Sequence, residues 1–154
     1  LRCGLRIAEV AALQLSDLYL DAPTPRLTAR GMGSRERTVY LSSQAERALR
    51  AYLAQRSSAP TNAVFLSYQL QGLSTTAIHK RLVHYRALSG VSFTAHQLRH
   101  TFANDLVEAD VPVTSIQRLL GHAWLTSTQT YVRANDRQVQ ADFYAAASVL
   151  EDWA

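Results

Sequence analysis

Cysteine and lysine each occur only once in this chain of 154 residues, and each scarcity limits the chemistry that is available. Cys3 is the only cysteine, so an intramolecular disulfide is impossible and a zinc site built on thiolates is disfavoured. Lysine occurs once, as Lys80, beside 15 arginines. A mechanism that requires a lysine therefore has a single candidate in this sequence.

Long apolar runs are also missing from the chain. No stretch approaches the roughly 18 apolar residues of a membrane span, and no basic segment followed by an apolar one opens the sequence as a signal peptide would. These observations predict a cytoplasmic protein with no membrane partner. The first residue is Leu1 rather than Met, so we expect the sequence to be part of a longer natural protein.

The remaining composition fits one globular domain. A chain of this size buries about 68–70% of its unfolded surface, which is enough for a core without covalent cross-links. Hydrophobic residues make up 47% of the chain and charged residues 18%, which is ordinary for a soluble fold. The formal net charge of +4 leans mildly toward a polyanionic partner.

Hydrophobic spacing predicts a mainly helical domain with one small antiparallel sheet, which is an α+β fold class. We expect a hairpin of strands at 27–30 and 37–41, because two glycines lie in the short link between them. A short third strand is predicted at 64–67. Helices are predicted at 5–15, 43–55, 74–88, 96–109 and 114–120, with short ones around Thr130 and after Asp136.

The same spacing predicts which side of each helix faces inward. Apolar residues of the first helix recur at Leu5, Ala8, Ala12 and Leu15. The helix at 74–88 has a predicted inward stripe of Ile78, Leu82 and Tyr85, and the helix at 96–109 has one of Leu98, Phe102 and Leu106. Gly121 is a good left-handed residue to end the helix at 114–120.

Three clusters carry side chains with chemical potential, and each has an ordinary interpretation when taken alone. Arg6 lies three residues before Glu9, a spacing typical of a surface ion pair on a helix. His96 and Arg99 share a helix face, where an imidazole and a guanidinium suit an anionic oxygen. His96 and His100 could instead hold a metal, but no acidic third ligand follows at metalloprotease-like spacing.

The third cluster is His122, directly after Gly121, with Tyr131 nine residues further on. A lone tyrosine on a short helix is usually a core residue, and a histidine after glycine is usually a cap. Taken together, the clusters supply two arginines, two histidines and a tyrosine hydroxyl, which is the inventory for attack on a phosphodiester. No carboxylate cluster offers to hold Mg²⁺, so the arginines would stabilise the charge.

These stretches resemble the catalytic domain of the tyrosine recombinases, the phage-integrase and Xer-like family of site-specific DNA recombinases. The matching segments are GLRIAEV at 4–10, LSD at 15–17, HQLRHTFA at 96–103, LLGH at 119–122 and TQTY at 128–131. They occur in the family's order and spacing and cover essentially the whole chain. The resemblance implies the DNA breaking–rejoining catalytic fold over residues 1–154, with the family's N-terminal core-binding domain absent from this sequence. It also implies a bacterial, archaeal, phage or mobile-element origin.

The resemblance also implies roles for individual residues. Arg6 and Arg99 would clamp the scissile phosphate, while His96 and His122 would assist protonation and orientation. Tyr131 would attack to form a 3′-phosphotyrosyl bond, with no metal and no nucleotide cofactor. The family's hairpin normally contains Gly-Lys-Gly, whose lysine is the general acid, but this chain has Met32 there. A thioether donates no proton, so the departure puts cleavage in doubt, although Arg30 or Arg35 could reach the site as a charge clamp.

Several residues are predicted to contact double-stranded DNA. Lys80, Arg81 and His84 form one side of the helix at 74–88, on an element that lies along DNA in this family. Arg30, Arg35 and Arg37 give a second basic edge at the hairpin. The apolar segment at 143–150 has two interpretations. It could fold back on its own chain, or by resemblance pack into a neighbouring protomer of a homo-oligomer, a tetramer on paired DNA sites, and be mobile without that neighbour.

Two further hypotheses stand beside the recombinase. The chain could be a DNA-binding relative that lost cleavage when the hairpin lysine became Met32. More remotely, it could be a metal-dependent hydrolase that uses His96, His100 and His122. Trapping of a covalent protein–DNA adduct separates the first hypothesis from the second, and chelator sensitivity separates the third from both.

Overall fold

The computed structural model of the protein describes residues 3–31, 36–121 and 136–152. Six α-helices and three short strands make up this part of the chain, together with a single 3₁₀ turn at Leu15–Asp17. The helices are α1 (Ile7–Ala12), α2 (Ser43–Gln55), α3 (Thr75–Ser89), α4 (Ala95–Glu108), α5 (Val113–Leu120) and α6 (Asp136–Asp152). The strands are β1 (Leu18–Tyr19), β2 (Arg26–Arg30) and β3 (Glu36–Tyr40). The predicted mainly helical fold with a small antiparallel sheet is confirmed.

The sheet has the order β1-β2-β3, and both strand pairs are antiparallel. Leu27 is paired with Val39 and Ala29 with Arg37, so these four residues share one face of the β2–β3 hairpin. The third strand lies at β1 rather than at 64–67, so that prediction is wrong. The segment around 63–72 makes only isolated bridges, at Ala63 and at Leu66.

One hydrophobic core, here called the sheet-side core, lies between the sheet and α2. Leu27, Ala29 and Val39 are buried in it, and the apolar side of α2 packs against them through residues that include Leu49 and Leu53. Alternate residues of a strand point to the same face of the sheet, so these aliphatic side chains are buried together away from water. The sheet is thereby fixed to α2 along the face from which Arg37 also projects.

A second core, here called the helical core, lies between α4, α5 and α6. Phe102 and Leu106 of α4 and Leu119 of α5 are buried there with Phe143 of α6. Tyr40, at the end of β3, inserts its ring against Phe143, with the ring centroids 5.9 Å apart. The segment at 143–150 therefore folds back on its own chain, as the first of its two interpretations predicted, and its packing into a neighbouring protomer stays a prediction.

Side-chain caps fix where the longer helices begin. Ser42, Ser74 and Thr94 each accept a hydrogen bond from the backbone N–H three residues later, at the starts of α2, α3 and α4. α5 ends at Gly121, which has a φ of 64°, as predicted. α6 is a long helix of 17 residues rather than the short one expected after Asp136.

Two predicted helix faces differ from the structure. The first helix covers only Ile7–Ala12, and its inward residue is Glu9, whereas Ala8 and Ala12 are exposed. The chain turns after Ala12 because Leu13 leaves the helix to enter the sheet-side core. On α3, which packs against α1, Ile78 and Leu82 are half-buried but Tyr85 is 53% exposed, so the predicted stripe is wrong at that position.

Candidate active site

Arg99 occupies the centre of the candidate site. It projects from α4 and is buried, with 9% of its surface exposed. Its Nη1 donates a hydrogen bond to the carbonyl of Gly4, and its Nη2 donates to the carbonyl of Leu120. Two backbone segments that are distant in sequence therefore hold one guanidinium in a fixed place.

Arg6 and Glu9 form the predicted ion pair, but Glu9 is not at the surface. The carboxylate is 2% exposed and accepts a hydrogen bond from the Arg6 backbone N–H at 2.7 Å, which caps the start of α1. Arg6 Nη1 donates to Glu9 Oε1 at 3.1 Å, while 45% of the Arg6 side chain stays exposed. The pair thus combines an accessible cation with a buried anion.

Arg37 belongs to this cluster, although the sequence placed it only on a basic hairpin edge. Its Nη2 donates to Glu9 Oε2 at 3.0 Å, its Nη1 donates to Glu9 Oε1, and its Nε donates to the Leu119 carbonyl at 2.9 Å. The available signal was strand alternation, because Arg37 is two residues from the apolar Val39 and side chains two positions apart on a strand share one face. A cation on the inward face of a strand indicates an internal partner.

Two glycines allow the cluster to pack this closely. A Cβ on Gly4, whose φ is 57°, would lie 2.6 Å from Phe102 Cδ1. A Cβ on Gly121, whose φ is 64°, would lie 2.9 Å from Arg37 Cδ. Both backbones are in the left-handed region that glycine alone adopts readily, so each glycine permits both the turn and the contact.

The electrostatics of the cluster follow from burial and from crowded positive charge. Burial, followed by the charges of Arg6 and Arg37, lowers the pKa of Arg99 to about 10, against the opposing effect of Glu9. Burial alone would raise the pKa of Glu9, but hydrogen bonds from the Arg37 side chain and the Arg6 backbone, with the charges of both arginines, hold it below its ordinary value. Three guanidiniums against one carboxylate leave net positive charge, which an anionic oxygen would neutralise.

The histidines divide between described and undescribed parts of the chain. His96 is exposed at the start of α4, and its ring lies over that of His100 with centroids 6.3 Å apart. Arg99 points inward, so the two residues predicted to converge differ in exposure. Within residues 3–31, 36–121 and 136–152, no three potential metal ligands cluster. Met32, Arg35, His122 and Tyr131 lie outside the described residues.

The predicted DNA-contact residues differ in how they are paired. Lys80, Arg81 and His84 are exposed on α3. Arg30 instead donates to Asp17 Oδ2 at 3.0 Å and to Glu36 Oε1 at 3.0 Å. Its charge is balanced within the chain, and DNA contact through Arg30 stays a prediction.

Solved structures with this fold are site-specific recombinases and integrases. XerA recombinase matches with a TM-score of 0.72 and 28% identity, over 90% of this chain and 52% of that one. The integrase of mycobacterium phage Brujita matches with a TM-score of 0.71 and 25% identity, over 94% and 48% of the two chains. XerH recombinase bound to its difH substrate shares the fold with a TM-score of 0.69 at 24% identity, over 97% and 44%.

Proteins with similar sequences are also named as recombinases. The tyrosine recombinase XerC of Shewanella sp. (strain W3-18-1) is 38% identical over 149 residues, which is 94% of this chain and 48% of the relative. The XerC of Caldanaerobacter subterraneus subsp. tengcongensis is 33% identical over 147 residues, 91% of this chain and 40% of the relative. This chain thus spans less than half the length of either relative.

The chain belongs to the phage integrase family, which matches residues 1–138. The resemblance drawn from the sequence motifs is confirmed at the level of the family and the fold. None of the helices in the described part of the chain combines the length and the apolar character that a membrane span requires.

Proposed function

We propose that residues 1–154 form the catalytic domain of a site-specific DNA recombinase or integrase, which acts with a separate DNA-clamping domain. In this proposal Arg6 and Arg99 clamp the scissile phosphate, and His96 and His122 assist protonation and orientation. The observation that carries the proposal is the buried Arg99, held by two backbone carbonyls beside the exposed Arg6. Preorganised donors of this kind stabilise charge that develops on phosphate oxygens.

The proposed reaction is a transesterification at phosphorus. The Tyr131 oxygen attacks, its proton is lost, and a bond forms to the phosphorus while the bond to the 5′ oxygen breaks. The leaving oxygen takes up a proton, and the DNA 3′ phosphate stays attached to Tyr131. Because the new ester conserves the phosphodiester energy, reversal by another 5′ hydroxyl rejoins DNA without ATP.

The proposed partners are double-stranded DNA and further copies of the chain. XerH, which shares the fold, was solved bound to its difH substrate, and this supports a DNA partner here. A tetramer on paired sites belongs to the proposal. Phe143 and Leu150 of the segment at 143–150 are buried in the core, whereas Val149 is 42% exposed, so assembly through this segment would use its exposed face or release the buried one.

A second candidate is a DNA-binding relative with impaired cleavage, and the residue that favours it is Met32. The hairpin lysine that the resemblance leads us to expect is missing, and Lys80 lies on α3. An arginine is a poor proton donor because its guanidinium keeps its proton well above neutral pH, so neighbouring arginines replace the charge but not the acid.

The test is adduct formation on a nicked suicide substrate. Wild-type protein should form a denaturant-resistant covalent adduct, and Tyr131→Phe should form none, because the change removes one oxygen with almost no loss of volume. Tyr68→Phe is the matched control, since Tyr68 is fully exposed on a loop, and it should react like the wild type. An adduct in the Tyr131→Phe variant would contradict the nucleophile assignment, and loss of activity with chelators would favour a metal-dependent hydrolase.

A further inference from the structure

The carboxyl end of α5 holds two arginines side by side. The last carbonyls of a helix have no partner within it and carry its negative partial charge. The Leu119 carbonyl accepts from Arg37 Nε at 2.9 Å, and the next carbonyl, of Leu120, accepts from Arg99. The two contacts therefore hold the end of α5 against Arg37 of β3 and Arg99 of α4.

The other side of Arg37 is fixed to α1. Its two terminal nitrogens donate to the two oxygens of Glu9, a forked arrangement in which neither group rotates without losing a bond. Glu9 in turn holds Arg6 through the backbone and the side chain. One guanidinium therefore connects β3, the start of α1 and the end of α5.

We infer that Arg37 is a positioning residue, which sets the spacing between Arg6 and Arg99 for the proposed reaction. The inference rests on the proposed function. Arg37 differs from Arg6 in its exposure, because only 11% of its side chain is accessible whereas 45% of the Arg6 side chain is. It differs from Arg99 in its partners, because both of its terminal nitrogens bond the Glu9 carboxylate, whereas those of Arg99 bond neutral backbone carbonyls. Three of its five N–H donors are engaged within the chain.

The test substitution is Arg37→Lys, with Arg50→Lys as the matched control. Lysine keeps the charge but has no planar fork, so it cannot bond both Glu9 oxygens and the Leu119 carbonyl together. Arg50 also bonds a carboxylate, Glu46, and a backbone carbonyl, that of Leu20, but lies away from the cluster. We expect the rate constant for adduct formation to fall about tenfold to a hundredfold in Arg37→Lys, because small misplacements of reacting groups have effects of that size. Arg50→Lys should stay within about threefold.

Two further measurements separate positioning from other roles. The dissociation constant for DNA should change less than about threefold, since Arg37 does not provide a phosphate contact. At a temperature below the unfolding transition of the variant, a purely structural role would at most lower the fraction of protein that reacts and would leave the rate constant unchanged. Glu9→Gln weakens the same fork from the other side, so its effect and that of Arg37→Lys should be less than additive in the double variant.

Each outcome decides between the two proposals. If the wild type reacts and Arg37→Lys reacts at the same rate constant, or loses DNA affinity and rate equally, the positioning role is wrong and the proposed function stands. If Arg37→Lys does not fold, Glu9→Gln carries the test, and an unchanged rate constant there overturns the inference. If wild-type protein forms no adduct, the proposed function fails and the inference fails with it.

Discussion

At the scale of single residues, Arg99 should act on the transition state rather than on DNA affinity. The loss of one preorganised donor raises a barrier by about 2.7–4 kcal/mol, so Arg99→Ala should slow cleavage about a hundredfold or more. DNA binding should fall far less, because Arg99 is 9% exposed and the exposed cations lie elsewhere.

This prediction is measured by single-turnover adduct kinetics and by DNA titration, both normalised to the folded fraction. That normalisation matters because Arg99→Ala leaves the carbonyls of Gly4 and Leu120 without their donor. Arg47→Ala, at an exposed arginine of α2, serves as the control. Equal losses of rate and affinity would make Arg99 an ordinary phosphate contact.

Met32 should make departure of the leaving group the slow step. A bridging phosphorothiolate provides a sulfur that leaves without a proton, so this substrate should react faster than an ordinary oligonucleotide. General acid catalysis contributes about 10²–10⁴-fold, and the rescue should approach that range. Met32→Lys should raise the rate on the ordinary substrate and reduce the advantage of sulfur. Equal wild-type rates on both substrates would mean that another group, such as Arg35 or His96, already delivers the proton.

The sequence analysis identified the Arg6–Glu9 pair of the arginine cluster but did not predict that Arg37 contacts it. The Arg6–Glu9 pair was predicted from helix spacing, which says nothing about burial, and Glu9 turned out to be an internal anion. From the sequence, Arg37 was assigned only to a basic edge at the hairpin. Strand alternation indicates which face of the sheet a side chain occupies, but it does not identify the carboxylate that the side chain contacts. Only the packing of β3 against α1 and α5 supplies that partner.

At the scale of elements, the stability of the end of α5 should depend on Gly121 in two ways. Gly121 adopts a positive φ, and its lack of a Cβ leaves room for the Arg37 side chain. Gly121 and Gly90 both have positive φ values, of 64° and 68°. An L-residue in that region costs about 1–2 kcal/mol, so Gly121→Ala and Gly90→Ala should both lower the free energy of unfolding by that amount. Nothing lies within 4 Å of a Cβ at Gly90, whereas one at Gly121 would lie 2.9 Å from Arg37 Cδ.

Gly121→Ala should therefore show a further loss of stability and slower adduct formation, which Gly90→Ala lacks. Urea denaturation and single-turnover kinetics on both variants measure the difference. Arg37 is held at three nitrogens, so it cannot move aside without breaking bonds. Identical behaviour of the two variants would show that the end of α5 accommodates the methyl group and that its contact with Arg37 is unimportant.

Local patterns predicted most elements but not those set by distant contacts. The hairpin and the helix at 43–55 were found because turn glycines and 3.6-residue spacing are local signals. The strand expected at 64–67 did not form, because a side chain satisfies backbone groups of this segment in place of a neighbouring strand. The Tyr52 hydroxyl donates to the Val64 carbonyl and accepts from the Leu66 N–H. The length of α6 could not be read locally, because its apolar face is defined by α4 and α5.

At the scale of the whole molecule, the candidate site lies where two cores meet. β3 provides Val39 to the sheet-side core and Tyr40 to the helical core, and Arg37 projects from the same strand. Each core is apolar and fixes its own elements, while the charged cluster between them is formed by Arg37 with α1 on one side and α5 on the other. Hydrogen bonds and an ion pair of Arg37 therefore join the elements of the two cores.

The surface charge of the whole molecule leads to a prediction about salt. The chain carries a net charge of +4, and each phosphate neutralised by a cation lowers the slope of log K against log[salt] by about 0.9. Lys80→Ala and Arg81→Ala should each weaken DNA binding and make the slope shallower by about 1, because both residues are exposed on α3. Arg30→Ala should change the slope less, since Arg30 is paired with Asp17 and Glu36. Fluorescence anisotropy of labelled duplex DNA between 50 and 200 mM salt, a range over which a few phosphate contacts have a measurable effect, gives the slopes. An equal change for Arg30→Ala would mean that its ion pairs open when DNA binds and that the hairpin edge is part of the DNA-binding surface.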